Sequence, residues 1–113
     1  MPEKLKEPSV ETIAAEGRWY GISPEQAKLL HRLITKRRFP STVRGLQLKF
    51  GEDSTSDPAL WVIFLVDNDL MPSDEKIAEL NNFATEVSSD LIQQHLPVWP
   101  YVSFRAANER DLS

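Results

Sequence analysis

LKFGEDSTSDPALWVIFLVD, residues 48–67, holds two apolar runs of different pattern separated by a polar loop. On the near side Leu46, Leu48 and Phe50 alternate with Gly45, Gln47 and Lys49. That period of two puts the apolar set on one side of a half-buried strand. On the far side ALWVIFLV, residues 59–66, is apolar at every position and rich in β-branched and aromatic side chains, as a central strand covered on both faces would be. The loop GEDSTSDP, residues 51–58, is expected to join the two as an antiparallel hairpin, with Gly51 permitting the turn and Asp53, Ser54 and Asp57 bonding local backbone.

Downstream of the hairpin, Ser73 followed by Asp74 and Glu75 marks a helix start. Ile77, Leu80, Ala84, Val87 and Leu91 then form one apolar stripe, and Pro97 is expected to close the helix. Tyr101 to Arg105 alternates again, with Val102 and Phe104 opposite Tyr101, Ser103 and Arg105, and reads as a third strand. A helix between the second and third strands is a crossover, so these strands should run parallel. Upstream, SVETIAAEG, residues 9–17, fits a short helix capped by Ser9 and stopped by Gly17. Ser23, Pro24 and Gln26 make a stronger start, with a cap, a proline at the first helical position and a capping-box partner. Ala27, Leu30, Leu33 and Ile34 share a face of this second helix, and Pro40 is expected to end it.

The fold class that follows is α+β in the order α-α-β-β-α-β, a three-stranded sheet packed on helices. Residues 9–106 form one domain, with a loose arm at 1–8 and a frayed tail at 107–113. The chain has 113 residues, about the size of one ordinary domain. There is no cysteine, which removes disulfides, thiolate metal sites and thiol nucleophiles. The apolar run from Ala59 to Val66 is far short of the roughly 20 residues that span a bilayer, and MPEKLKEP lacks the apolar core of a signal peptide, so a cytoplasmic protein is expected. A net charge of -4 disfavours broad contact with a polyanion.

The order strand, Phe50-Gly51, acidic loop, Ser56-Asp57, strand, helix, strand resembles small nucleotidyltransferases of the toxin–antitoxin type over residues 43 to 105. That resemblance implies a nucleotide-binding loop at Gly51, Asp53 and Asp57. The family pattern is incomplete, however. Glu52 stands where the family has serine, Ala59 and Leu60 where it has a second aspartate, and Tyr101, Val102 and Ser103 where it draws a third carboxylate. Those carboxylates hold magnesium, so transferase chemistry should be lost even if the layout is shared. Asp67 and Asp69, beyond the second strand, are too far along the chain to replace them. FGEDS, DPALWV and WPYV-x-FR also resemble a pattern in a family of small bacterial proteins, a likeness that implies no particular activity.

Three surface features could carry function. Arg32, Lys36, Arg37 and Arg38, with Lys28 and His31 nearby, crowd the end of the second helix. Cations there complement the helix dipole; in a helix-turn-helix they would contact DNA, although Glu25 would then stand at the reading position. Trp61, Trp99 and Tyr101 should meet where the second and third strands start side by side. They either seal one end of the core or, beside Glu52, Asp53 and Asp57, form a docking surface for another protein or a second copy. His31 and His95 show no ligand spacing, and no serine has a nucleophile setting, so no catalytic residue, metal or cofactor is expected. The leading expectation is a non-enzymatic protein-interaction or regulatory module, with an antitoxin-like role as one form. A divergent nucleotide-binding domain is second and a DNA-binding regulator third.

Overall fold

The computed structural model describes residues 8–66 and 74–106. The arm before Pro8, Asp67, Asp69, the expected cap at Ser73 and the tail at 107–113 lie outside them. Within the described residues the order is α1 (Val10–Gly17), a 3-10 turn (Arg18–Tyr20), α2 (Pro24–Thr35), β1 (Val43–Glu52), β2 (Pro58–Val66), α3 (Asp74–Ile92) and β3 (Trp99–Ala106). The sheet runs β1-β2-β3, antiparallel between β1 and β2 and parallel between β2 and β3. This is the α+β arrangement expected from the change of period along the chain. No helix of the described residues is long and apolar enough to cross a membrane.

Local chemistry fixes the helix starts. The Ser9 side chain accepts from the Thr12 amide, and Ser23 forms a reciprocal capping box with Gln26, at 3.1 Å from the Gln26 amide and 2.9 Å from the Ser23 amide to the glutamine oxygen. Each cap satisfies amides that the first helical turn leaves without partners.

The helix ends depart in part from expectation. Helix α1 ends at Gly17 as expected, but with Gly17 in ordinary helical dihedrals; the chain continues into the 3-10 turn and leaves it at Gly21, whose φ of 89° is left-handed. Pro40 and Pro97 lie beyond the ends they were expected to set. Helix α2 finishes at Thr35, where the Arg37 Nε–H donates to the Leu33 carbonyl at 2.8 Å and supplies a partner that the next turn would have given. Helix α3 finishes at Ile92, and the left-handed His95, φ 53°, turns the chain away.

One face of the sheet carries the core. Leu46, Leu60, Val62 and Phe64 are buried with Ile13, Leu30, Ile34, Phe83, Val87 and Leu91 from the helices, and Leu48, Phe50, Val102 and Phe104 pack against them. Phe64 sits centrally, with ring centroids 4.9 Å from Phe83 and 6.0 Å from both Phe39 and Phe104. The buried stripe of α3 is therefore Phe83, Val87 and Leu91, with Leu80 half-buried against the same core. Ile77 is 45% exposed and Ala84 only half-buried, since Phe83, packed on Phe64, takes the sheet-facing position.

Candidate functional site

Alternation along the strands sorts the sheet residues by face. With Leu60, Val62 and Phe64 toward the helices, Ala59, Trp61, Ile63 and Leu65 point the other way. Gly45, Gln47, Lys49 and Gly51 of β1 and Trp99, Tyr101, Ser103 and Arg105 of β3 share that second face through the strand register. Among the described residues no helix packs there, and Ala59, Ile63 and Leu65, although buried, do not join the helix-packed core.

The rings of Trp61 and Tyr101 stack on this face. They occupy paired positions on β2 and β3, with centroids 5.8 Å apart and planes within 20°. Trp99 pairs with Ala59 one row nearer the hairpin loop; it is 52% exposed and Tyr101 38%. Of the three aromatics expected to meet, the Trp61 and Tyr101 rings stack and Trp99 stands one row away on the same face; they do not seal the core. Their odd-numbered positions in the alternation set them on the far side of the sheet from it.

The acidic loop is shorter than expected. Gly51 and Glu52 belong to β1, paired with Ala59 and Pro58, so Gly51 makes no turn. Its lack of a side chain makes room for the indole of Trp61: a Cβ at Gly51 would stand 3.1 Å from Trp61 Cζ3. The turn falls to Asp53–Asp57, where the Asp53 amide donates to the Asp57 carbonyl and the Ser56 amide to the Asp53 carbonyl, each at 2.9 Å. Ser56 takes the left-handed conformation, φ 67°, that closes such a three-residue loop.

Asp53 organises the turn. Its Oδ1 accepts from the Thr55 amide at 2.9 Å and the Asp57 amide at 3.1 Å, and lies 2.6 Å from the Thr55 hydroxyl. That hydroxyl is also 2.9 Å from Asp57 Oδ2, so one proton serves both carboxylates. Asp53 Oδ2 accepts from the Tyr101 hydroxyl at 3.0 Å, which ties the hairpin loop to β3. Sequence reasoning missed Thr55 and Ser56; the signal was the Asp-Ser-Thr-Ser-Asp run, whose short oxygen-bearing side chains favour bonds to nearby backbone.

The Thr55 hydroxyl and amide, followed by the Asp57 amide and Tyr101, hold the Asp53 carboxyl down to about 2. Its hydrogen bond to Asp53, with the charges of Asp53 and Asp57, raises the Tyr101 hydroxyl above the ordinary tyrosine range. Because the folded Asp53 value lies below its usual 3.8, the stability it contributes is complete above about pH 4 and is lost as pH falls toward 2. Tyr101 acts in the opposite sense, contributing below its ordinary 10.0 and losing that contribution as pH rises through the higher folded value. Melting midpoints of the native protein and Asp53→Asn, measured from pH 5 to pH 2, check the first statement. The native midpoint should fall more steeply than the variant's, and parallel curves would contradict it.

Glu52 and Asp57 are exposed, and alternation puts Glu52 on the opposite side of β1 from Lys49 and Gly51, so it does not share the aromatic face. At the end of α2, Arg32, Lys36 and Arg38 are exposed, while Arg37 is held by its ion pair to Asp90 of α3. Arg38 lines a shallow groove with Glu75, Glu79 and Glu86, so acidic side chains flank the basic helix end. Among the described residues no three acidic or histidine side chains converge as metal ligands.

The structure thus brings together Trp61, Trp99, Tyr101, Asp53 and Asp57 and leaves the basic set apart. Comparison with protein families, curated proteins and solved structures finds no match for this chain.

Proposed function

We propose that this domain is a protein-interaction module and that it docks through the loop end of the sheet face opposite its helix-packed core. The observation that carries this reading is the exposure of Trp99 beside the Trp61–Tyr101 stack, on a rigid sheet and away from the core. Large aromatic side chains with polar edges are enriched at the centres of protein interfaces, where each buries much area at little cost in side-chain entropy. The loop carboxylates serve the same surface: Asp53 fixes the Tyr101 ring through its hydroxyl, so the ring is ordered before any partner arrives. Acids at the edge of the rings oppose the approach of a phosphate backbone, which favours a protein over a nucleic acid as the partner.

Trp99→Ala tests the proposal. Trp99 lies outside the core, so the variant should keep the melting midpoint to within a few degrees and lose at least about tenfold in affinity for a bound protein, the effect of removing one interface anchor. Quantitative pull-down from the native cell, with the native domain and the variant side by side, reads this directly. Equal recovery of the same partner by both proteins would overturn the proposal.

A further inference from the structure

The docking reading leaves the chemistry of the occupant open, and the loop end of the face specifies it. We infer that this corner receives a cationic side chain, arginine or lysine, from an extended segment of a partner protein, seated against Trp99 and Tyr101 with its charge toward Asp57. The inference rests on the docking proposal above and adds the class of residue recognised.

Three observations support it. Trp99 and Tyr101 are exposed, and their rings, apart from the Tyr101 face stacked on Trp61, present negative π-density, the natural counterpart of an ammonium or guanidinium group. Asp53 accepts from the Tyr101 hydroxyl, and Asp57, joined to Asp53 through the Thr55 hydroxyl, adds its charge, so the field at the ring edge is anionic. The chain itself shows the same pairing on another exposed tryptophan, where the Arg18 guanidinium lies 5.3 Å from the centroid of Trp19. The remaining charges of the face give the segment a direction. Lys49 is paired across the strands with Trp61, on the flank away from β3, and Arg105 stands four residues beyond Tyr101, roughly 13 Å along the strand. A cation at the loop end and an acid toward Arg105 would therefore complement the surface. A polyanionic strand would meet two carboxylates at the aromatic corner, and a hydrophobic segment alone would leave them without a counter-charge.

The three tryptophans supply the readout. Trp61 and Trp99 indole N–H resonances report on the site, and that of Trp19, 76% exposed on the 3-10 turn, serves as reference. The intact protein is titrated with the peptide acetyl-Gly-Arg-Gly-Arg-Gly-amide, with the same peptide carrying citrulline for arginine, and with oligothymidylate. The inference expects the arginine peptide to shift Trp61 and Trp99 but not Trp19, to bind at least about fivefold more tightly than its neutral citrulline counterpart, and to weaken as salt is raised. Asp57→Asn should reduce the shifts while leaving the Trp19 resonance in place. Equal binding of both peptides overturns the cationic occupant and leaves the docking surface standing. Shifts that follow protein concentration without peptide assign the face to a second copy and also overturn the inference. A response to oligothymidylate in place of the arginine peptide overturns the inference and the docking proposal together. No response to any probe overturns the inference alone, since the docking proposal is judged by Trp99→Ala.

Discussion

Alanine at position 64 is expected to lower the unfolding free energy by about 3–5 kcal/mol, the usual cost of removing a buried phenylalanine ring. Phe64 is fully buried in the central strand, and Phe39, Phe83 and Phe104 surround it from a connector, a helix and the neighbouring strand. Its removal deletes the ring that joins these elements and leaves a cavity that the rigid sheet cannot close. Equilibrium urea denaturation should show a lower midpoint with a little-changed slope, and the melting temperature should fall by roughly 12–20 °C. Phe64→Leu, which keeps most of the volume, should lose far less. A loss below about 1.5 kcal/mol for alanine would mean that the four rings do not form one packed unit.

Gly17→Ala should also destabilise, by about 1–3 kcal/mol, against the direction that helix propensity alone would give. Gly17 has right-handed helical dihedrals, and at such a position alanine ordinarily favours the helix by up to about 1 kcal/mol. Here the added methyl would stand 2.8 Å from Ile22 Cβ, 3.0 Å from Ile22 Cγ1 and 3.1 Å from Phe50 Cζ. Ile22 is buried and its Cβ is attached to the backbone, so the clash is relieved only by moving α1 away from the chain that leads into α2. Thermal melting decides between the two effects: a lower midpoint supports the steric account and a higher one the propensity account.

Gly17 also marks the boundary of what the sequence makes legible. Features set by neighbours within four residues could be read directly: the Ser9 and Ser23 caps, the two-residue period of β1 and the wholly apolar β2. The crossover could be read as well, because a helix between two strands of one sheet leaves few ways to return. Features set by partners distant in sequence could not. The role of Gly17 depends on Ile22 beyond the 3-10 turn and on Phe50, that of Gly51 on the Trp61 indole and that of Asp53 on Tyr101, contacts that exist only once the chain is folded. The face of α3 was ambiguous for a related reason. Two overlapping stripes share Leu80, Val87 and Leu91, and Phe83 takes the inner position over Ala84 because its ring packs edge-on against Phe64.

The helix ends follow the same logic. Proline forbids continuation of a helix but does not require the helix to reach it, so Pro40 and Pro97 bound α2 and α3 without terminating them. For the aromatic site the grouping of Trp61, Trp99 and Tyr101 was legible from topology. Their face was legible too, in the parity of Trp61 against Leu60, Val62 and Phe64, but a strand apolar on both sides hides that parity from a reading by hydrophobicity alone.

The bond from Tyr101 to Asp53 crosses a seam between two parts of the sheet that assemble differently. The β1–β2 hairpin closes over a short turn, whereas β3 reaches β2 only after α3 has carried the chain back along the sheet. An occupant of the proposed surface, resting on Trp99 and Tyr101 of β3 beside Trp61 of β2, would clamp the edge strand to the hairpin. Occupancy and the attachment of β3 are thermodynamically linked: whatever holds the strand in place raises affinity, and whatever binds slows hydrogen exchange along residues 99–106.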